Sequence, residues 1–283
     1  MQVPASFQYR KATSVEDALT LLRAYGPESA VIAGGHSLLP MMKLRLAHPE
    51  ALIDINDVDE IAGIRVEDGE LVIGALARHA DLLACAEAGE HFPILHDAER
   101  VIADPVVRNR GTVGGSLCQA DPSEDLSAVF AALRATLVVH GPQGTRTVPA
   151  REFFVGPYQT VLEQGELLGE IRVPLRESAS AYLKVDRRAG DWAVGAVGAV
   201  VSVADDVIEE IGIGLTALGA ERFVAAEAED FLRGGPPDGD RFVEAGRIAA
   251  ARCRPTADQR GPVDYKRHLA GELTTRALCR AVG

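Results

Sequence analysis

The chain has 283 residues, which is enough for about two domains with a sizeable core. Hydrophobic residues make up 47% of it and charged residues 25%, the balance of an ordinary globular protein. Its net charge of −12 argues against nucleic acid or an anionic membrane as the main partner, because an acidic protein repels polyanions.

The cysteines and the N-terminal residues indicate which metal sites and which cellular location to expect. The four cysteines are scattered and form no CxxC pair, so we expect neither an iron–sulfur cluster nor a structural zinc site within this chain. The N-terminal residues lack the apolar core of a signal peptide, and no apolar run approaches about eighteen residues. We therefore expect a cytoplasmic protein without an integral membrane segment.

Residues 1–57 are predicted to form a small α+β unit. Ser14 precedes two acidic residues and then apolar residues at helical spacing, which predicts a helix. The runs SAVIAGG (29–35) and LIDIND (52–57) predict strands. The segment AGGHSLLPMMKLRL (33–46) lies between them, and it puts two glycines, a histidine and a serine where the first strand ends.

Residues 58–176 are predicted to form a second α+β unit, which contains a second glycine-rich passage, RNRGTVGGSLCQADPSEDL (108–126). A helix is expected to begin at Ser123, with Glu124 and Asp125 in its first turn. The other expected elements are the strands ELVIGAL (70–76), TLVVHG (136–141) and ELLGEIRVP (166–174) and the helices ADLLACAEA (80–88) and 92–103.

Residues 177–283 are predicted to form a separate C-terminal α+β domain, since three strands are followed by three helices. A tight turn at Asp205 and Asp206 is expected to join the second and third strands. The strand candidates are AYLKVDRR, AVGAVGAVVSV and VIEEIGIGLTAL, and the helix candidates are ERFVAAEAEDFL, DRFVEAGRIAAARC and YKRHLAGELTTRALCRAV.

The first glycine motif, Gly34-Gly35-His36-Ser37, has the composition of an anion-binding turn. Glycines allow a positive φ and a close approach of the backbone, so successive N–H groups can converge on phosphate oxygens. No GK[ST] follows, and the dinucleotide pattern GxGxxG is absent, so neither a P-loop nor a Rossmann motif is present. On its own, the motif is more typical of a plain turn at the end of a strand than of a ligand site.

The second glycine motif, residues 111–116 (GTVGGS), repeats the combination of glycines and hydroxyl groups. Two such loops in one domain suit a diphosphate better than two unrelated turns. Asp121, Glu124 and Asp125 follow at once and are candidates to bind ribose or ribityl hydroxyls. Helix capping is the alternative role for Glu124.

These passages together resemble the FAD-binding medium subunit of the molybdenum hydroxylases, a family that includes carbon monoxide dehydrogenase. The resemblance rests on AGGHSLLPMMKLRL followed by LIDIND and then by RNRGTVGGSLCQADPSEDL. It extends from Phe7 to the C-terminus, and the two glycine motifs in tandem are far more specific than either motif alone.

The resemblance implies a fold and a function. The fold is α+β: a two-lobed FAD-binding domain of the PCMH/vanillyl-alcohol-oxidase type, followed by a domain with a three-stranded antiparallel sheet and a three-helix bundle. The substrate reacts on a molybdenum cofactor in a large molybdopterin subunit. Electrons pass through the iron–sulfur clusters of a small subunit to this FAD and then to an external acceptor. No catalytic residue or metal ligand is then required in this chain.

The resemblance also implies the residues that contact FAD. They are Ala33, Gly34, Gly35, His36 and Ser37 in the first loop, Thr112, Gly114, Gly115 and Ser116 in the second, and Asp125, Leu168, Lys184 and Trp192 elsewhere. Asp125 matches an acid that hydrogen-bonds the cofactor, and Leu168 matches an apolar contact. Lys184 matches a lysine near the flavin, where a cation stabilises the anionic reduced form.

This sequence departs from the family pattern at Ser116, at Trp192 and at Cys118, which replaces a variable residue and has no feature of a nucleophile. Ser116 stands where many members have asparagine, and Trp192 stands where relatives often have tyrosine; the alternative role of Trp192 is a core aromatic. The other histidines show no ligand spacing, so we interpret each as a surface residue or a hydrogen-bonded core residue: His48, His79, His91, His96, His140 and His268.

Two other functions fit parts of the pattern. A self-contained flavin oxidase of the vanillyl-alcohol-oxidase type shares the architecture, and some of those enzymes bind flavin covalently through a histidine of a GGH motif, to which His36 corresponds. Only about a hundred residues follow Pro174, which is short for a substrate-binding domain. A scaffold protein that has lost FAD is a further alternative, and two intact glycine loops argue against it.

Overall fold

The computed structural model describes residues 3–283, and its three main sheets follow one another along the chain. The first sheet is parallel, with strand order β1-β3-β2. Its strands are β1 (Gln8–Lys11), β2 (Ser29–Ile32) and β3 (Ala51–Asp54), connected by the helices α1 (Val15–Tyr25) and α2 (Leu38–Lys43). Ser14 caps α1, because its side chain accepts a hydrogen bond of 3.0 Å from the Asp17 N–H, as its sequence position predicts.

The second sheet has five strands in the order β4-β5-β10-β6-β7, and β8 pairs with β9 beside it. The strands are β4 (Ile64–Glu67), β5 (Glu70–Gly74), β6 (Thr136–Gly141), β7 (Gly144–Pro149), β8 (Phe154–Gly156), β9 (Gln159–Thr160) and β10 (Leu167–Pro174). The helices are α3 (His79–Ala84), α4 (Ala86–His91), α5 (Pro93–Val101), α6 (Pro105–Arg108), α7 (Val113–Gln119), α8 (Asp125–Ala132) and α9 (Ala150–Phe153). Phe92, Phe130 and Phe153 are fully buried in the core of this unit.

The third sheet is an antiparallel meander in the order β11-β12-β13, followed by three helices. The elements are β11 (Ala179–Val185), β12 (Gly195–Ala204), β13 (Val207–Thr216), α10 (Ala226–Leu232), α11 (Gly239–Arg252) and α12 (Val263–Val282). Asp205 and Asp206 both have positive φ, at 48° and 60°, which matches the predicted hairpin turn between the last two strands.

Helix α8 packs on β12 and β13 of the third sheet and against α5, α7 and α9 of the second unit, and every residue of it is buried. It lies directly on β13, because Gly212 and Gly214 present no side chain there. A Cβ at either glycine would clash with the carbonyl oxygens of Ala132 and Ala128. The alternating glycines of β13 therefore let this helix approach the sheet closely.

Two helix predictions need correction. The helix expected at 80–88 is two short helices, α3 and α4, which meet at Cys85 in an extended conformation. The helix expected to begin at Ser123 begins at Asp125, because the carboxylate of Glu124 caps it by accepting from the N–H groups of Leu126 and Ser127. Helix capping, which was the alternative role of Glu124, is therefore what this side chain does.

Five strands were not expected from the sequence: β1, β4, β7, β8 and β9. β1, β4 and β7 each lie at an edge of a larger sheet with mostly exposed side chains, and β8 and β9 are a pair of two or three residues each. Within residues 3–283, no helix is both long enough and apolar enough to cross a bilayer. The division of the chain at residues 57 and 176 remains a prediction.

Candidate functional site

One large cleft lies between the first sheet and the second unit, and residues 184 and 190–192 of the third unit also line it. Its volume is about 570 Å³, within the range of roughly 300–1,000 Å³ that is usual for cofactor sites. The structure brings every residue predicted to contact FAD to the lining of this cleft. They are Ala33, Gly34, Gly35, His36, Ser37, Thr112, Gly114, Gly115, Ser116, Asp125, Leu168, Lys184 and Trp192.

The first glycine loop, residues 33–37, presents free backbone donors to the cleft. Gly35 has a φ of 77°, which favours glycine. Within residues 3–283, no acceptor lies in hydrogen-bond range of the N–H groups of Gly34, Gly35, His36 or Ser37. Unpaired backbone donors cost free energy unless a ligand or water accepts from them, so this loop is suited to an anion.

Gly34 lies at the contact between the two glycine loops. A Cβ at this position would lie 2.5 Å from the carbonyl oxygen of Arg110 and 2.7 Å from the Cα of Gly111. Glycine is therefore required here by the contact between the two loops. We expected these glycines to allow a close approach to a ligand, whereas the close approach at Gly34 is to the protein itself.

The second glycine loop, residues 111–116, uses most of its backbone donors internally. Gly114 N–H donates to the carbonyl oxygen of Ala75 at 2.9 Å, and Gly115 N–H donates to the Thr112 hydroxyl at 3.1 Å. Ser116 N–H donates to the Thr112 carbonyl oxygen at 3.1 Å. The groups that this loop offers to a ligand are thus the Thr112 N–H, which has no acceptor within residues 3–283, and the Ser116 hydroxyl.

Asp125 and Lys184 form a buried ion pair in the wall of the cleft. Lys184 Nζ donates to Asp125 Oδ2 at 2.8 Å and to the carbonyl oxygen of Val101 at 3.1 Å. The Tyr182 hydroxyl donates to Asp125 Oδ1 at 2.6 Å. Burial raises the pKa of Asp125, while Lys184 and Tyr182 act in the opposite direction. The positive charge of Lys184 is therefore balanced by a carboxylate of the same chain.

Comparison with known families identifies the family of the chain. The model for the FAD binding domain in molybdopterin dehydrogenase matches residues 5–176, and the model for the CO dehydrogenase flavoprotein C-terminal domain matches residues 180–281. The chain belongs to this family. It is an FAD-binding oxidoreductase subunit of the molybdopterin dehydrogenases.

Relatives of this FAD subunit match it over its whole length. It is 41% identical over 278 residues to the carbon monoxide dehydrogenase medium chain of Hydrogenophaga pseudoflava, which covers 98% of this chain and 97% of the relative. It is 34% identical to the glyceraldehyde dehydrogenase medium chain of Sulfolobus acidocaldarius, covering 97% and 98%. A solved structure of the Hydrogenophaga pseudoflava carbon monoxide dehydrogenase superposes with a TM-score of 0.96, 42% identity, and coverage of 99% and 98%. The two enzyme names differ in substrate, so family membership leaves the substrate open.

The donors and acceptors of the cleft fit FAD. The free N–H groups of residues 34–37 can donate to a diphosphate. The buried carboxylate of Asp125 can accept from a hydroxyl or a ring N–H of the cofactor. Leu168 is 2% exposed and gives an apolar wall beside a bulge in β10. Trp192 is 43% exposed, so it is not the core aromatic of the alternative interpretation.

His79 is a cleft residue that we expected from the sequence to be only a surface or a hydrogen-bonded core histidine. It is a hydrogen-bonded core histidine, as expected, but it also lines the cleft and contacts Ser116. Its partners Glu99 and Ser116 are 20 and 37 residues away in the sequence, so no local pattern connects them. Asp121, by contrast, lies outside the lining of the cleft, where it accepts from Ser123 N–H and the Tyr158 hydroxyl.

Proposed function

We propose that this chain is the electron-transfer subunit of a molybdenum hydroxylase complex. It holds FAD in the cleft, accepts electrons from the iron–sulfur clusters of a small partner subunit, and passes them to an external acceptor. The substrate reacts in a large molybdopterin subunit. The observation that supports this proposal best is the cleft itself, whose lining gathers both glycine loops and the Asp125–Lys184 pair in one site.

In this proposal, the two loops bind the FAD diphosphate unequally. The N–H groups of Gly34, Gly35, His36 and Ser37 supply most donors, since they have no acceptors among residues 3–283. Thr112–Ser116 contribute fewer, because Gly114, Gly115 and Ser116 already donate within the second loop and to Ala75.

The other side chains position the rest of the cofactor. Each oxygen of Asp125 keeps a lone pair after accepting from Tyr182 and Lys184, so the carboxylate still accepts from a donor of FAD. Leu168 and Trp192 provide apolar and aromatic surface, and Trp192 lies where the cleft meets solvent. When bound, FAD supplies the redox chemistry that amino-acid side chains lack.

Purification of the tagged chain from its native cells tests the proposal. We expect two further subunits to co-purify, with iron and molybdenum measurable by elemental analysis and FAD released on denaturation. We also propose a cytoplasmic location, which cell fractionation tests. A chain that purifies alone with FAD and oxidises a substrate by itself would contradict the proposal.

Acid precipitation separates this proposal from the self-contained flavin oxidase. We expect FAD to remain in the supernatant, because in our proposal His36 forms a hydrogen bond with FAD and no covalent bond. Flavin that stays with the precipitated protein would favour the covalent oxidase. A colourless protein that cannot be reconstituted with FAD would favour a scaffold.

A further inference from the structure

A chain of hydrogen bonds leads from the protein core to the second glycine loop. His79 at the start of α3 is 3% exposed, and Glu99 on α5 is fully buried. His79 Nδ1 lies 3.0 Å from both carboxylate oxygens of Glu99. His79 Nε2 lies 3.1 Å from the hydroxyl oxygen of Ser116 in α7. Three helices thus contribute one residue each to a Glu–His–Ser series that ends at the cleft.

Charge balance favours a protonated imidazole. A buried carboxylate without a partner is costly, and within residues 3–283 the side chain that hydrogen-bonds Glu99 is His79. Burial opposes charge on both partners: it raises the pKa of Glu99, and it lowers that of His79, although the charge and the hydrogen bond of Glu99 leave the pKa of His79 raised overall. With both nitrogens protonated, Nδ1 donates to Glu99 and Nε2 donates to Ser116.

The protonated imidazole determines what Ser116 can do. Because its oxygen accepts from His79, the Ser116 hydroxyl proton must point elsewhere. Within residues 3–283 the hydroxyl donates to no protein acceptor, and Ser116 lines the cleft. A hydroxyl turned in this way is a donor to an anion. The opposite polarity occurs in Ser–His–acid hydrolases, where a neutral histidine accepts the serine proton.

We propose that the His79–Glu99 pair holds the Ser116 hydroxyl as a hydrogen-bond donor to the diphosphate of FAD. His79 and Glu99 are then positioning residues for cofactor binding, a role that rests on the proposed placement of the diphosphate between the two glycine loops. Sequence position gave no reason to connect these residues with the cofactor, and the resemblance to the family did not include them.

FAD affinity of the full-length chain tests this role, with the apoprotein titrated by flavin fluorescence. Ser116→Ala removes the hydroxyl, and Glu99→Gln keeps the size of the side chain while removing the charge that keeps His79 protonated. We expect each variant to bind FAD about tenfold more weakly, and we expect the double variant to bind no more weakly than Ser116→Ala. Glu170→Gln is the matched control: it removes an ion-paired glutamate that is 12% exposed and outside the cleft, and we expect its FAD affinity to be unchanged.

The possible outcomes test separately the placement of the diphosphate beside Ser116 and the role of His79 and Glu99. If Ser116→Ala binds FAD normally, the placement of the diphosphate is wrong, and the role of His79 falls with it. If Ser116→Ala weakens binding but Glu99→Gln does not, the placement stands and the role of His79 and Glu99 is wrong. If the double variant binds more weakly than Ser116→Ala, the pair does not act through Ser116, and the role is again wrong.

The imidazole can be observed directly without FAD and without relying on the folding of Glu99→Gln. In wild-type protein labelled with ¹⁵N-histidine, we expect both ring nitrogens of His79 to be protonated at neutral pH. The resonance is assigned by its loss in His79→Gln. A His79 ring with an unprotonated Nε2 in the wild type would overturn the inference, because Ser116 would then donate to His79 and not to the cleft.

Discussion

At the scale of single residues, the cleft depends on a few residues whose type is determined by their packing or hydrogen bonds. Gly34 is one of them, since its missing side chain lets the first glycine loop contact Gly111 of the second loop and Arg110, the residue before it. Glu124 is another, since its buried carboxylate caps α8, the helix that begins with Asp125. Both residues determine the shape of the cleft by their contacts with other residues of the chain, and neither role requires a contact with a ligand.

We expect Gly34→Ala to separate the two loops. The new Cβ would meet backbone atoms at 2.5 and 2.7 Å, which cannot rotate away as a side chain would. The expected cost is about 1–3 kcal/mol of unfolding free energy, together with at least a tenfold loss of FAD affinity. Urea unfolding and flavin fluorescence measure the two effects.

Gly89→Ala is the control for the loop variant. Gly89 lies within α4, and a Cβ there meets nothing within 4 Å, so this substitution is expected to be neutral or to stabilise the helix by about 0.5–1 kcal/mol. An equal loss of FAD affinity in Gly34→Ala and Gly89→Ala would show that the contact between the loops at Gly34 does not determine FAD affinity.

Glu124 is expected to make stability depend on pH. Burial raises the pKa of this carboxyl to about 7, against an ordinary value of 4.5, although hydrogen bonds from Ser127 and Leu126 lower it in part. Between these values the folded protein binds more protons than the unfolded chain, so this group's contribution to stability falls as the pH rises from about 4.5 to 7. The shift corresponds to a change on the order of 3 kcal/mol.

Comparison of the wild type with Glu124→Gln isolates this effect. The difference in unfolding free energy, wild type minus variant, is expected to decrease steadily over that pH range, as measured by urea unfolding at several pH values. A difference that is constant with pH would mean that Glu124 does not titrate there in the folded protein.

At the scale of secondary-structure elements, a buried ion-pair cluster connects α10 to the FAD-binding part of the chain. Glu229 on α10 is 2% exposed and accepts from Arg151 in two hydrogen bonds of 2.7 and 2.8 Å. It also accepts from Arg134 at 3.2 Å and from Ile213 N–H at 2.7 Å. Four donors thus converge on one carboxylate between elements that are far apart in the sequence.

We expect Glu229→Gln to destabilise the protein by about 1–3 kcal/mol, because it weakens the hydrogen bonds to a buried carboxylate and removes the counter-charge of Arg151 and Arg134, whose side chains are 20% and 36% exposed. Glu244→Gln removes an exposed ion pair with Arg247 and should change stability by no more than about 0.5 kcal/mol. Chemical unfolding of both variants makes the comparison. Similar stability of the two variants would show that the cluster contributes little.

The elements also show what the sequence can predict. The buried strands and the α1 cap were predicted because they carry strong local patterns. β1, β4 and β7 were not, because each is an edge strand whose mostly exposed side chains follow no apolar alternation. In the site, the glycine loops are local motifs and could be found. The His79–Glu99 pair and the contact at Gly34 join distant segments, and only the folded chain brings them together.

At the scale of the whole molecule, the cleft collects residues from all three sheets. Ala33 follows β2, Leu168 lies on β10, and Lys184 lies on β11. A ligand that bridges these units binds the folded chain and not the unfolded one. FAD at about one hundred times its Kd is therefore expected to stabilise the chain by about 2.7 kcal/mol.

This stabilisation is expected to raise the Tm by roughly 5–10 °C, given about 2–4 °C per kcal/mol for chains of this size. ADP, which carries the diphosphate without the flavin, is expected to give a smaller rise. Differential scanning calorimetry of the apoprotein measures both. No change in Tm with FAD would be inconsistent with a cofactor bound across the three units.

We propose that this chain carries FAD as an electron-transfer subunit and that its electrons come from partner subunits. The most direct measurement is anaerobic flavin absorbance, recorded after the substrate of the complex is added to the isolated chain and to the intact complex. We expect the flavin to bleach in the complex and to stay oxidised in the isolated chain. Bleaching of the isolated chain by the substrate would contradict the account.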